Sequence, residues 1–166
     1  MLERYSNFFI ASAGASAAFI GLLFVSLTIA DTAERDERAR TNRDALAGSA
    51  FAQLLDAFFV SIGGLADEVR IFAGLGVGMA ILGLWTTSRL LPGVIRAGNW
   101  ARNAPVRTSN IVLPIASIVV YALQLVFAIG VLFYPDNSAL LRLSVLVLLG
   151  LYAGAVARAW KITRTT

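Results

Sequence analysis

The chain has 166 residues, of which 58% are hydrophobic and 14% are charged, and its formal net charge is +4. Soluble domains carry about a quarter charged residues, so this composition, with a mean hydropathy of +0.75, argues against a water-soluble globule. The chain has no His and no Cys. This excludes Ser-His-Asp and Cys-His nucleophiles, disulfides, and haem or zinc held by those residues. We therefore expect no cofactor, no metal site and no enzyme activity.

Five apolar runs divide the sequence, and each is about 21 to 24 residues long, enough to cross a membrane at ~1.5 Å rise per residue. They predict an all-α, polytopic membrane helix bundle in a single domain, residues 1–166, with spans at 6–29, 45–65, 71–91, 111–134 and 139–160. Two connections are short and predict tight antiparallel hairpins. Gly63 or Gly64 is expected to end the second helix, and Asp67 and Asn137 or Ser138 to cap the next ones.

The two long connections, 30–44 and 92–110, fall on the same side of the membrane. With five spans, that side receives eleven of the fourteen basic residues, and the other side keeps Arg4, Arg70 and Arg142. Loops rich in Lys and Arg resist translocation. The bias therefore predicts an N-terminus outside and a C-terminus in the cytoplasm. Acidic and basic residues in 30–44 recur at i,i+4 spacing, which predicts a charged helical extension.

The first span carries small residues on one face. Gly14, Ala18 and Gly21 recur at helical spacing, and small side chains let helices approach closely in lipid. We therefore expect this helix to be central. The run 8–26 (FFIASAGASAAFIGLLFVS), together with AFFVS at 57–61 in the second span, resembles a group of small bacterial membrane proteins known only as hypothetical. The resemblance implies a bacterial inner membrane and transfers no activity and no site residues.

The second span contains a charge at a depth where charges are rare. Asp56 lies eleven residues into the run 45–65, about 16 Å from its start. An ionised carboxylate there costs ~2.5 kcal/mol or more, and Asp is too short to reach the interface. By contrast, Arg89, Arg142 and Arg158 lie near span ends, where we expect them to extend to the interface. Asp56 must face a polar partner, contact water or hold a proton.

The third and fifth spans each contain a GxxxG motif, which is typical of close helix packing in membranes. Gly74 and Gly78 form the first motif, and Gly150 and Gly154 form the second. Because five spans offer many internal interfaces, contacts within one bundle are favoured over dimerisation for these motifs. We also expect the protein to form a homo-oligomer.

Basic residues dominate the 92–110 connection and the tail, since no acidic residue occurs between Glu68 and Asp136. Arginines interleaved with apolar residues suit anionic lipid headgroups at the cytoplasmic face, or an unknown membrane partner. The positive-inside bias already accounts for these charges, so we expect no nucleic acid to bind. The residues predicted to contact lipid or a partner are Arg96, Trp100, Arg102, Arg107, Lys161 and Arg164.

The fourth span supplies a partner for Asp56. It runs in the same direction as the second, so Gln124 and, one turn earlier, Tyr121 lie at a comparable depth. Gln124 can donate a hydrogen bond to a carboxylate. Ser49 and Gln53 share the small, polar face of the second helix with Asp56. The sequence therefore predicts a buried cluster of Ser49, Gln53, Asp56, Tyr121 and Gln124.

Two functions fit this cluster, and they stay open at the level of sequence. In one, the cluster lines an oligomeric ion or proton pathway, a common role of acids inside membranes. In the other, it fixes helix packing in a non-conducting scaffold or accessory subunit that docks a partner or anionic lipid through its Arg-rich loops. Intramembrane aspartyl catalysis needs two carboxylates in one site, and the chain supplies one.

Overall fold

A computed structural model describes residues 2–31, 37–100 and 109–163. In these residues a 3₁₀ turn, Leu2–Tyr5, precedes five helices: α1 (Ser6–Asp31), α2 (Glu37–Leu65), α3 (Val69–Trp100), α4 (Ser109–Phe133) and α5 (Ser138–Thr163). Each helix contributes to a segment long and apolar enough to cross a membrane: Leu2–Thr28, Asp44–Leu65, Val69–Arg89, Val112–Phe133 and Ser138–Trp160. The predicted all-α bundle with five spans is confirmed for this part of the chain.

Two helices continue beyond their membrane spans. Helix α2 begins at Glu37, so the second half of the charged connection is helical, as predicted. Helix α3 continues to Trp100, so residues 92–100, which the sequence predicted as a loop, are helical. The prediction was wrong because an apolar run marks only the part of a helix that lies in lipid. The backbone hydrogen bonds of the helix can continue beyond it into water. Residues 32–36 and 101–108 lie outside the described part.

The α2–α3 hairpin turns at Asp67, which has a left-handed backbone conformation with a φ of 52°. Helix α2 continues to Leu65, so the prediction that Gly63 or Gly64 ends it was wrong. Both glycines instead leave room for neighbours, because a Cβ on Gly64 would lie 2.6 Å from the ring of Phe9. The turn needs only one left-handed residue, and Asp adopts that conformation more readily than most other residues.

The α4–α5 hairpin has the cap that the sequence predicted. The Oδ1 atom of Asn137 accepts hydrogen bonds from the backbone N–H groups of Ala139 at 3.0 Å and Leu140 at 3.3 Å. These groups belong to the first turn of α5 and have no partner within the helix. We call the end of the bundle that holds both hairpin turns the hairpin end.

Four helices form a ring, and α1 lies outside it. Helix α2 packs against α1, α3 and α5, and α4 packs against α3 and α5. Helices α2 and α4 therefore face each other diagonally across the ring. Helix α2 has the largest buried share of the five spans, so the prediction that α1 is central was wrong. The small face of α1 points outward: Ala18 is exposed, and no atom lies within 4 Å of a Cβ added at Gly14 or Gly21.

The α3–α4 contact uses glycines other than the predicted pair. Gly74 and Gly78 are exposed, and a Cβ added at either would meet nothing within 4 Å. The buried small residues of α3 are Ala73, Gly76, Ala80 and Gly83. A Cβ on Gly76 would lie 3.1 Å from the Cβ of Ala128, and one on Gly83 would overlap the ring of Tyr121. The prediction for Gly74 and Gly78 was wrong because small residues occur on two faces of α3.

The GxxxG motif of α5 does lie inside the bundle. A Cβ added at Gly150 would contact Val120 of α4 at 3.6 Å, and one at Gly154 would lie 2.8 Å from the Oε1 atom of Gln53 on α2. Both glycines therefore let α5 approach its neighbours in the ring. Toward the hairpin end the core is mostly apolar and includes Phe9, Val60, Phe72, Val131, Leu141 and Val145, and it also holds the buried Ser61.

Candidate functional site

The centre of the ring holds a hydrogen-bonded pair formed by Asp56 of α2 and Gln124 of α4, which we call the Asp–Gln pair. Each residue lies twelve positions after the first residue of its span, about 18 Å along the helix axis. The Nε2 atom of Gln124 donates to Oδ1 of Asp56 at 2.8 Å, and both side chains are buried. The structure thus confirms the predicted contact between Asp56 and Gln124, which rested on their equal depth in two helices that run in the same direction.

The orientation of the Gln124 amide follows from its hydrogen bonds. Nε2 also donates to the backbone carbonyl of Gly76 on α3 at 3.2 Å, so both N–H groups of the amide are used. Turning the amide over would place its oxygen against two acceptors. Gly76 permits this contact because its missing side chain brings α3 close to α4.

Two oxygen atoms of the Asp–Gln pair have no hydrogen-bond partner. These are Oδ2 of Asp56 and Oε1 of Gln124, and both are buried. Leaving a buried acceptor unsatisfied costs about 1–3 kcal/mol. Among the buried side-chain nitrogen and oxygen atoms of the described residues, these two alone lack a partner. The unsatisfied atoms thus lie together at mid-span.

A second polar group, the arginine cluster, consists of Arg158, Gln53 and Ser117. Nη1 of Arg158 donates to Oε1 of Gln53 at 2.6 Å and to the carbonyl of Gly154 at 2.9 Å. Nη2 donates to the carbonyl of Leu113 at 3.0 Å and to the hydroxyl of Ser117. Gln53 in turn donates to Ser117 at 3.2 Å. One guanidinium therefore links α5 to α2 and α4.

The prediction that Arg158 extends to the membrane interface was wrong, because only 3% of its surface is exposed. Side chains of a helix tilt toward its N-terminus, which in α5 directs Arg158 into the bundle. Four neutral acceptors then replace the water that the guanidinium loses. In the part of the chain that the structure describes, Arg158 makes no ion pair with Asp56.

Tyr121 lies between the two polar groups. Ser117, Tyr121 and Gln124 are spaced i, i+4 and i+7, so they share one face of α4. Tyr121 is 2% exposed, and its ring packs on Gly83 of α3. Polar side chains thus continue along α4 from Gln124 away from the hairpin end, whereas the ring toward the hairpin end is mostly apolar and holds the buried Ser61 of α2.

The predicted five-residue cluster is therefore divided in two. Gln53 belongs to the arginine cluster, and its hydrogen bonds go to Ser117 and Arg158 and not to Asp56. Ser49 is half-buried and donates to the carbonyl of Leu46 in its own helix at 2.8 Å. Including Ser49 in the cluster was wrong, because a serine in a helix can satisfy its hydroxyl on the preceding turn.

Sequence reasoning missed a hydroxyl network that attaches α1 to the ring. The hydroxyl of Tyr152 on α5 lies 2.8 Å from Oγ of Ser12 and 2.5 Å from Oγ of Ser16, and it also donates to the carbonyl of Ser12. Ser61 of α2 donates to Oγ of Ser12 at 2.7 Å. The sequence contained a pattern that indicates this network, because Ser12 and Ser16 are spaced i,i+4 and so share one face of α1.

The side chains predicted to contact lipid or a partner lie outside the part of the chain that the structure describes. Arg96 and Trp100 lie in the last part of α3, and Lys161 lies near the end of α5, with side chains outside the described part. Arg102, Arg107 and Arg164 lie outside the described residues altogether. Nearby, the guanidinium of Arg89 stacks 4.7 Å from the ring centre of the exposed Trp85. Such a pair suits a membrane interface.

The fold and the Asp–Gln pair define a multi-pass membrane protein with five helices able to span the bilayer and a buried acid at mid-span. Comparison with known proteins adds no name to this class: no family model matches the chain, and no curated protein or solved structure is significantly similar to it. Within the described residues, no three His, Cys, Asp or Glu side chains come together as metal ligands.

Proposed function

We propose that the protein forms an ion or proton pathway and that the Asp–Gln pair is its binding site. The observation that carries this proposal is the pair of unsatisfied oxygens, Oδ2 of Asp56 and Oε1 of Gln124, both buried in one hydrogen-bonded pair at mid-span. A bound proton, water or cation at these atoms would complete their hydrogen bonding or coordination.

Energetics favour this function over packing alone. An acid at the centre of a span costs about 2.5–3.5 kcal/mol on insertion scales. An interhelical hydrogen bond in a membrane contributes about 0.6 kcal/mol on average. The hydrogen bond from Gln124 therefore offsets only a small part of the cost of Asp56. An aliphatic residue would pack α2 against α4 without that cost, so packing does not account for the carboxyl group.

The proposed route enters from the end opposite the hairpin end. On that side the ring contains Tyr121 and the arginine cluster. Toward the hairpin end it is lined mostly by apolar residues such as Val60 and Phe72, and its buried Ser61 is bonded to Ser12 of α1. Polar groups and water can exchange a proton along the first half, and the apolar half has to rearrange for the ion to leave.

We also propose a setting for this route. The resemblance to small bacterial membrane proteins favours a bacterial inner membrane. The distribution of Lys and Arg favours a cytoplasmic C-terminus, which would place the polar end of the route in the cytoplasm. The outward faces of Gly14, Ala18 and Gly21 on α1, and of Gly74 and Gly78 on α3, are available to a second copy of the chain. A reporter fused to Thr166 tests the orientation, and cross-linking of Gly78→Cys in vesicles tests the oligomer.

Flux through proteoliposomes tests the function. The purified protein is reconstituted with a trapped pH dye, and proton entry is followed under an imposed membrane potential, with Na⁺ and K⁺ gradients tested separately. Asp56→Asn keeps the size of the side chain and removes its ability to ionise, so flux is expected to be lost while far-UV circular dichroism is unchanged.

The matched control is Asp136→Asn, the same substitution at an exposed position of the α4–α5 turn. It is expected to retain full flux. If the wild type and Asp56→Asn conduct equally, or if neither conducts any of the three ions, the pathway is the wrong function.

A further inference from the structure

The unsatisfied atoms of the Asp–Gln pair narrow the choice of ligand. Oδ1 of Asp56 already accepts from the amide of Gln124, and the second amide N–H is used by the carbonyl of Gly76. What remains is one carboxyl oxygen and one amide oxygen, two acceptors without a donor. A single hydrogen atom on Oδ2 would convert the first into a donor for the second.

We propose that Asp56 holds one proton on Oδ2 and donates it to Oε1 of Gln124, so that carboxylic acid and amide form a ring with two hydrogen bonds. This deepens the proposed function, on which it rests, by naming the proton as the species that the site binds. The ring uses every donor and acceptor of the pair and leaves no net charge at mid-span, where an uncompensated charge is most costly.

A metal cation fits the same atoms poorly. Hard cations such as Mg²⁺ and Ca²⁺ take six or more oxygen ligands, and the pair has two unsatisfied oxygens. No group of three acidic, His or Cys side chains gathers anywhere in the described residues to supply more.

The surroundings of the pair contain few other charges. The other titratable or charged side chains buried in the described part of the ring are Tyr121 on α4 and Arg158 on α5. On α3, the other helix packed beside it, Arg70 lies at the hairpin end and Arg89 at the opposite end of the span. Arg158 is bound to Gln53 and Ser117. A deprotonated Asp56 would therefore keep one hydrogen bond and have no paired cation.

This arrangement gives proton release a structural consequence. When the O–H bond of Asp56 breaks, the proton leaves toward water on the polar side and its electron pair stays on Oδ2. The hydrogen bond to Oε1 of Gln124 is lost, and two acceptors then face each other. The repulsion weakens the link between α2 and α4 across the ring, so the core opens when the site is empty and closes when a proton returns.

Infrared spectroscopy of the full chain in liposomes tests the ring directly. The wild type is expected to show the carbonyl band of a protonated carboxylic acid at neutral pH, shifted by deuterium exchange, and Asp56→Asn is expected to lose it. Gln124→Leu keeps the acid and removes its acceptor, so the band should move to the higher frequency of an unbonded acid. Asp136→Asn is the control and should leave the band unchanged.

Thermal unfolding adds a measurement for which a protonated and an ionised Asp56 predict different results. Asn at position 56 can replace the O–H donor by an N–H donor, so Asp56→Asn should melt within the error of the wild type at neutral pH. A wild type without the acid band would show an ionised carboxylate and overturn the ring. An Asp56→Asn variant that melts well above the wild type would do the same, because it would have lost an uncompensated buried charge. An Asp56→Asn variant that melts well below the wild type would also overturn the ring, because Asn reproduces both of its hydrogen bonds. An acid band without proton flux would support the ring and refute the pathway. Na⁺ flux without the acid band would support the pathway and refute the ring.

Discussion

Substituting Gly83 by Ala should destabilise the bundle, although Ala is the better helix former. An added Cβ would overlap the ring of Tyr121, which is buried and has little room to move. Overpacking of this kind typically costs about 1–3 kcal/mol. The control is Gly78→Ala on the same helix, where an added Cβ meets nothing within 4 Å. The gain in helix propensity is common to both variants, so their difference reports the contact with Tyr121.

The assay is reversible unfolding in mixed detergent micelles, followed by circular dichroism and by intrinsic tryptophan fluorescence. Gly83→Ala is expected to lower the free energy of unfolding by about 1–3 kcal/mol relative to Gly78→Ala. Gly76→Ala should fall between them, because its Cβ would lie 3.1 Å from that of Ala128. In a Tyr121→Leu background most of the deficit of Gly83→Ala should disappear. Equal stability of Gly83→Ala and Gly78→Ala would refute the packing argument.

Two further predictions concern the polar contacts between helices. Arg158→Lys keeps the charge, but one ammonium cannot reach all four acceptors of the guanidinium. We therefore expect the free energy of unfolding in micelles to fall by about 1–3 kcal/mol. Unchanged stability would contradict the role of Arg158 as a link between helices. Tyr152→Phe removes the hydroxyl that joins Ser12 and Ser16 to α5; α1 should then be cut faster by protease while α2–α5 stay protected, and uniform protection in both proteins would argue against this attachment.

Sequence alone determined the spans and their number. Transfer into lipid is close to additive along the chain, so the length of an apolar run reports directly on a span. The same reasoning placed Asp56 and Gln124 at equal depth, because the rise per residue is constant and alternate helices run in the same direction. That pair is the part of the candidate site that could be predicted without coordinates.

Tertiary structure decided which face of each helix is buried. Gly74 and Gly78 are as small as Gly76 and Gly83, and the spacing of small residues does not say which set meets α4; in the structure the second set does. Arg158 lies near the end of a span, where lipid alone would direct it to the interface. It turns inward because α2 and α4 bring Gln53, Ser117 and the carbonyl of Leu113 within reach of one guanidinium. Depth depends on the sequence of one helix, whereas the direction of a side chain around the helix depends on which neighbours supply its partners.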